Sequence, residues 1–195
     1  VGIITKNALI QRDIDVLKEL AADNLVKVNL SITSLDEEIR SMLEPRTATV
    51  KKRLETLEKL SSENIPVSVM MAPIIPGINS HEIIPLVRAI AERGALGVGY
   101  TMVRLNGAIG GIFENWIRKT MPDRAEKVLH QIQECHGGNL NDSHWGRRMK
   151  GSGNIAAQVE QQFTIARKKY LSGRSSPPLN CELHREFKNG QMRLF

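Results

Sequence analysis

The sequence predicts an α/β fold: a partial parallel (β/α) barrel of the TIM type, continued by a helical C-terminal extension. Three observations carry this reading. Short apolar, β-branched runs alternate with amphipathic helical stretches through the first two-thirds of the chain. The runs begin near positions 2, 26, 66 and 97, spacings of about 24, 40 and 31 residues, the scale of one strand–helix unit in a parallel sheet. The runs are also apolar enough to be covered on both faces. Four units fall short of the eight strands and roughly 250 residues of a closed barrel.

Each element follows from a local signal. Val1–Thr5 reads as a buried first strand. Residues 12–24 read as a helix because Ile14, Leu17, Leu20 and Ala21 recur on one face. Residues 26–32 (VKVNLSI) form the second strand. A short helix near Asp36–Leu43 has to stop before Pro45. Thr47 or Thr49 caps a helix reaching about Glu63, with Val50, Leu54, Leu57 and Leu60 as its apolar stripe. Residues 66–72 form the third strand, broken by Pro73, Pro76 and Gly77. Ser80 caps a helix bearing Ile83, Ile84, Val87, Ile90 and Ala91, which Gly94 ends. The fourth strand lies within residues 96–105. Two helices follow, over Gly111–Thr120 and from Pro122, the second carrying Ala125, Val128, Leu129 and Ile132. A Gly-rich basic loop, 136–153, leads to a helix over Ile155–Tyr170 that ends in Arg167, Lys168 and Lys169. The expected organisation is βα units over 1–110, a helical extension over 111–171, then a linker and tail over 172–195 with one or two short strands near its end.

Composition narrows the function classes. Of 195 residues, 41% are hydrophobic and 25% charged, which supports a packed core and excludes a disordered chain. No apolar run approaches the roughly 20 residues of a membrane span, and no signal peptide is visible. Cys135 and Cys181 cannot make a disulfide framework, nor by themselves a zinc or iron–sulfur site. The simplest setting is a reducing cytoplasm, with both cysteines inert. The net charge of +6 is uneven: residues 1–97 hold 12 basic and 13 acidic side chains, residues 98–195 hold 15 and 8. A basic half is either a solubilising surface or the mark of nucleic acid as a partner. Neither a P-loop, a nucleophile elbow nor a metal-ligand histidine pattern is present.

In parallel α/β folds, ligand-binding groups gather at strand C-terminal ends. Here those ends carry Thr5, Lys6 and Asn7; Ser31, Thr33 and Ser34; the segment from Ala72 and Pro73 to Asn79; and Arg104 with Asn106. Such a rim suits a ligand with a carboxylate, ribose hydroxyls or phosphate. Alternatively Lys6 is a solvated loop residue, Ser31 satisfies a nearby carbonyl, and the prolines only shape a loop. Glu44-Pro45-Arg46 reads first as a helix stop and restart, the alternative being that Glu44 pairs with Arg46 or a ligand ammonium. In the basic loop, Arg147, Arg148 and Lys150 beside Gly151 and Gly153 are candidate phosphate contacts.

The strings ITKN (4–7), SIT (31–33), LEPR (43–46) and MAPIIPGIN (71–79) resemble the radical S-adenosylmethionine family, in its branch related to spore photoproduct lyase and often labelled DNA repair photolyase. MPDRA (121–125), Gly137-Gly138 and GRRMKGSG (146–153) fit the same branch. The resemblance implies a partial (β/α)₆ barrel. It also implies a [4Fe–4S] cluster that cleaves S-adenosylmethionine to a 5′-deoxyadenosyl radical. It places Lys6 and Ser31 on the methionyl and ribose parts of that cofactor and the Ala72–Pro73 backbone near its adenine. The family's CxxxCxxC cluster loop is absent here. The expectation is therefore a C-terminal part of a cytoplasmic enzyme that lacks three strands. As given it holds no cluster and no metal, performs no radical chemistry and binds the cofactor weakly at best. Its open sheet edge is a route to self-association. Two other readings stand beside it. One is a non-catalytic nucleic-acid-binding module using Arg147, Arg148, Lys150, Arg167, Lys168 and Lys169. The other is a barrel enzyme acting on a phosphorylated metabolite through Lys6.

Overall fold

A computed structural model describes residues 1–182. Four strands, β1 (Gly2–Thr5), β2 (Lys27–Ser31), β3 (Val67–Ile74) and β4 (Val98–Met102), form one sheet in sequence order. All neighbours are parallel. Helices α1 (Ile14–Ala22), α2 (Glu37–Leu43), α3 (Val50–Ser62) and α4 (Ile83–Glu92) fill the crossovers. Beyond the sheet come α5 (Ala108–Thr120), α6 (Pro122–Cys135) and α7 (Gly153–Tyr170). This is the mixed α/β architecture with a parallel sheet expected of a partial β/α barrel. Among the described residues no helix is long and apolar enough to cross a membrane. The strands expected late in the tail lie mostly outside the described residues.

Several boundaries moved for physical reasons. The first helical segment opens as a 3₁₀ turn, Ala8–Asp13, with the Asn7 side chain accepting from Leu9 N–H. Asp36 caps α2 by accepting from the N–H groups of Glu38 and Ile39. Thr49, rather than Thr47, caps α3. Ser80 starts a 3₁₀ turn that feeds α4. β3 runs through Pro73 to Ile74, because the register slips between Met71 and Ile74 and a bulge spares the missing N–H.

Two expectations about burial need correction. β1 pairs with β2 alone among the described residues, so it is an edge and not a buried strand; Ile4 is 69% exposed. Nor, among the described residues, are the strands fully covered on both faces. In β2, Val28 and Leu30 are buried while Lys27 and Asn29 are half-buried. The period of two in VKVNLS decides this. The helices cover one face only: Leu17, Leu57, Leu60, Leu86, Ile90 and Phe163 pack with Val28, Leu30, Val67 and Val69 in the principal core. Each such buried aliphatic side chain contributes about 1.5–3 kcal/mol. The other face presents Asn29, Ser68, Met70, Gly99 and Thr101, all half-buried.

α7 belongs to that same core, since Phe163 stacks on Tyr100 of β4 with ring centroids 4.2 Å apart. A second core lies past the strand C-terminal ends. There Ile39, Ile75, Ile78, Val103 and Leu105 meet Ile117, Val128 and Ile132 of α5 and α6. At the opposite end of the sheet, Arg174 donates to the carbonyls of Ala91 and Ala95, and Asn180 N–H donates to Asn24. Residues 171–182 therefore run past the strand starts, at the end of the sheet opposite the strand C-terminal ends.

Candidate functional site

Lys6 follows β1 directly, Ser31 ends β2, and Ala72 and Pro73 lie near the end of β3. Thr5 pairs with Leu30, and Ser31 pairs with Met70. The rungs thus bring Lys6, Ser31 and Ala72 together on neighbouring strands about 4.8 Å apart. The Ala72–Pro73 peptide is cis. Ser31 is 5% exposed, and its hydroxyl has no partner among the described residues. It does not satisfy a neighbouring carbonyl; instead its own carbonyl accepts from Arg53 Nη1 at 2.8 Å.

Beneath this corner sits a buried charge network centred on Glu44. Its Oε1 accepts from Lys6 Nζ at 2.8 Å and from the Thr33 hydroxyl at 2.7 Å. Its Oε2 accepts from Arg53 Nη2 at 2.7 Å. The Arg53 side chain is 1% exposed and also donates to the Ala48 carbonyl and the Thr47 hydroxyl. Arg40 donates to the Glu44 carbonyl at 2.9 Å and to Glu37. Burial opposes ionisation of Glu44, but hydrogen bonds from Lys6, Thr33 and Arg53 outweigh it and hold the carboxyl below its ordinary range. Glu44 therefore does more than mark a helix stop, and Arg53, not Arg46, is its guanidinium partner.

Two further side chains fix the strand ends. Asn79 donates from Nδ2 to the carbonyls of Thr33 (2.9 Å) and Pro73 (3.0 Å), and accepts from Ile75 N–H. Glu82 accepts from the N–H groups of Leu35 and Asp36 and so seats the start of α2. Arg53 carried a signal in the sequence: it falls three residues after Val50 and four before Leu57, on the face that α3 buries. Glu82 carried none, because its partners lie 46 and 47 residues away.

The basic candidates split into two groups. Arg167 donates to the carbonyl of Val98, at the start of β4, and Lys168 and Lys169 follow it on α7. The loop holding Arg147, Arg148 and Lys150 instead joins the far end, where Met102 N–H donates to Met149 and Leu105 N–H donates to Leu140. Within that loop Arg147 pairs with the buried Asp142, and Lys150 Nζ lies 3.3 Å from Glu160. Hydrogen bonds from Arg147 and His144 hold the Asp142 carboxyl far below its ordinary range. Arg148 makes no side-chain bond among the described residues.

No group of three or more His, Cys, Asp or Glu side chains among the described residues could hold a metal ion. Cys135 is buried, with its thiol pushed up to about 11, and Cys181 is exposed. These residues do not fit an iron–sulfur cluster. Lys6, whose side chain is 43% exposed and paired with Glu44, also lacks the buried, unpaired setting of a Schiff-base lysine.

Three relatives carry the likeness beyond this corner. An uncharacterized protein of Mycobacterium tuberculosis is 29% identical over 124 residues, 63% of this chain and 36% of its own length. An uncharacterized protein of Methanocaldococcus jannaschii is 25% identical over 130 residues, 67% of this chain and 47% of its own. One from Acidianus two-tailed virus is 38% identical over 72 residues, 37% of this chain and 23% of its own. The chain thus spans about a third of the mycobacterial relative it matches. The stretch from β1 through most of α4, which holds Lys6, Ser31, Glu44, Arg53 and Ala72, is the stretch that matches the family model of the Radical SAM superfamily, residues 1–90.

Proposed function

We propose that this chain supplies the cofactor- and substrate-facing part of a radical S-adenosylmethionine enzyme. The observation that carries it is the corner itself: within the matched residues, Lys6, the Ser31 hydroxyl (unpartnered among the described residues) and the Ala72–Pro73 peptide of β3 meet at the strand C-terminal ends. A cation, a hydroxyl and a half-buried backbone segment suit the carboxylate, ribose and base of a nucleoside cofactor. Superfamily enzymes pair that cofactor with a [4Fe–4S] cluster, and no ligand set for one exists among the described residues. We assign the cluster ligands to residues beyond these 195, which agrees with the 36% share of the mycobacterial relative that this chain covers. The half-exposed β1 edge, with Val1 67% and Ile4 69% exposed, is a fitting seat for further strands of the same sheet. The spore photoproduct lyase-like branch is the nearest reading of the motifs, with the chain inactive by itself and nucleic acid the substrate class.

The test is a longer protein containing this chain, reconstituted with iron and sulfide and reduced in the presence of S-adenosylmethionine. Release of 5′-deoxyadenosine is expected, along with loss of cofactor affinity in Ser31→Val. A cluster-loaded protein that releases none, or upstream sequence without CxxxCxxC, overturns the proposal.

A further inference from the structure

Among the described residues four arginines make no side-chain hydrogen bond or ion pair: Arg46, Arg104, Arg124 and Arg148. The other described arginines are engaged, as Arg88 is with Glu92 and Arg118 with Glu114. The unengaged four share one end of the molecule. Arg46 lies two residues past the Glu44 that binds Lys6. Arg104 follows β4. Arg124 lines a hollow with Met42 and Ile78 beyond the end of β3. Arg148 sits in the loop joined to Met102 and Leu105.

That same loop holds Trp145, 88% exposed, the most exposed large apolar side chain of the described residues. The loop is pinned rather than free. Met149 and Leu140 accept from β4 and its extension, and Ser152 N–H donates to the Cys135 carbonyl. Asp142, itself 5% exposed, gathers His144 and Arg147 around the turn that presents the indole. A side chain this exposed has no groove wall beside it, as a peptide side chain would need. A base brings its own flat partner and needs none, and phosphates supply what unengaged guanidinium groups lack.

We propose that the 139–152 loop binds single-stranded nucleic acid, with Trp145 stacking on an unpaired base and Arg148, Arg104 and Arg46 taking backbone phosphates. The inference rests on the reading that the strand C-terminal ends are the working face. It fails separately from that reading, because oligonucleotide binding needs no cofactor and 5′-deoxyadenosine release needs no oligonucleotide.

The assay is fluorescence anisotropy of a labelled 20-nucleotide oligothymidine titrated with the full chain, with folding checked by circular dichroism. Trp145→Ala should weaken binding by about 5- to 150-fold, the range for one lost base–aromatic stack. Trp145→Phe should retain most of the affinity. Arg148→Ala should lower the slope of log K against log salt by about 0.7. Arg88→Ala, on the surface of α4, should leave both unchanged. The proposal is overturned if the wild-type chain does not bind, if folded Trp145→Ala binds as tightly as wild type, if Trp145→Phe loses as much as alanine, or if polyglutamate or phosphatidylserine vesicles bind while the oligonucleotide does not.

Discussion

Replacing Glu44 with alanine removes the counter-charge of a guanidinium that is 1% exposed. Arg53 would keep its bonds to the carbonyls of Ser31 and Ala48 but hold an uncompensated charge in the interior. Breaking a buried pair from one side costs about 3–5 kcal/mol. A domain of this kind has a total stability of about 5–15 kcal/mol. With a urea m-value of about 2 kcal/mol/M, the unfolding midpoint followed by circular dichroism should fall by about 1.5–2.5 M. Lys6→Met should cost about 1 kcal/mol or less, because this lysine is 43% exposed and half-solvated. Acidity gives an independent check. The folded-state pKa of Glu44 lies below its ordinary value. Its contribution is therefore complete above the unfolded pKa of about 4.3 and fades as pH falls through the folded value. The gap between wild type and Glu44→Ala should narrow on acidification below about pH 5. A loss under about 1 kcal/mol at pH 7, or a gap that widens in acid, refutes this account of the network.

Two more predictions concern packing and thiol chemistry. Phe163→Ala should destabilise by about 3–5 kcal/mol in the same urea assay, because Phe163 is fully buried against Tyr100 and locks α7 to β4; a loss under about 1.5 kcal/mol would mean that α7 is not part of the core. Of the two thiols, only the exposed Cys181 should react quickly with Ellman's reagent at pH 8, since Cys135 is buried and its thiol is pushed up to about 11; two rapid equivalents from native protein would contradict the packing of α6.

The strands and helices were legible because their signals are local. The period of two in VKVNLS and the stripe of Val50, Leu57 and Leu60 each report one element at a time. The rim residues were legible for a topological reason, since parallel strands put their C-terminal ends together wherever the chain supplies them. Less legible was everything that depends on which side chain meets which. Leu54, expected on the apolar stripe, is only half-buried, while Arg53 beside it is fully enclosed. That exchange follows from Glu44, nine residues away and placed there by the turn after α2. The two basic clusters looked alike as strings, and only the bonds to Val98 and Met102 put them at opposite ends of β4.

The Glu44 network also bears on how the corner can bind a ligand. Lys6 and Arg53 both contact one carboxylate, but they are not equivalent. If Lys6 turns toward a ligand carboxylate, Glu44 keeps Thr33 on Oε1 and Arg53 on Oε2. The buried pair then remains one negative against one positive charge, and no isolated ion is left in the core. If Arg53 left instead, the Glu44 carboxylate would lose its enclosed cation and the carbonyls of Ser31 and Ala48 would lose a donor. The arrangement therefore separates two tasks. Arg53 holds the ends of β2 and α3 in place, while Lys6 is restrained by a contact it can give up at small cost. A half-exposed cation held in this way is positioned before a ligand arrives and released when one does, which is what a binding lysine at a strand end requires.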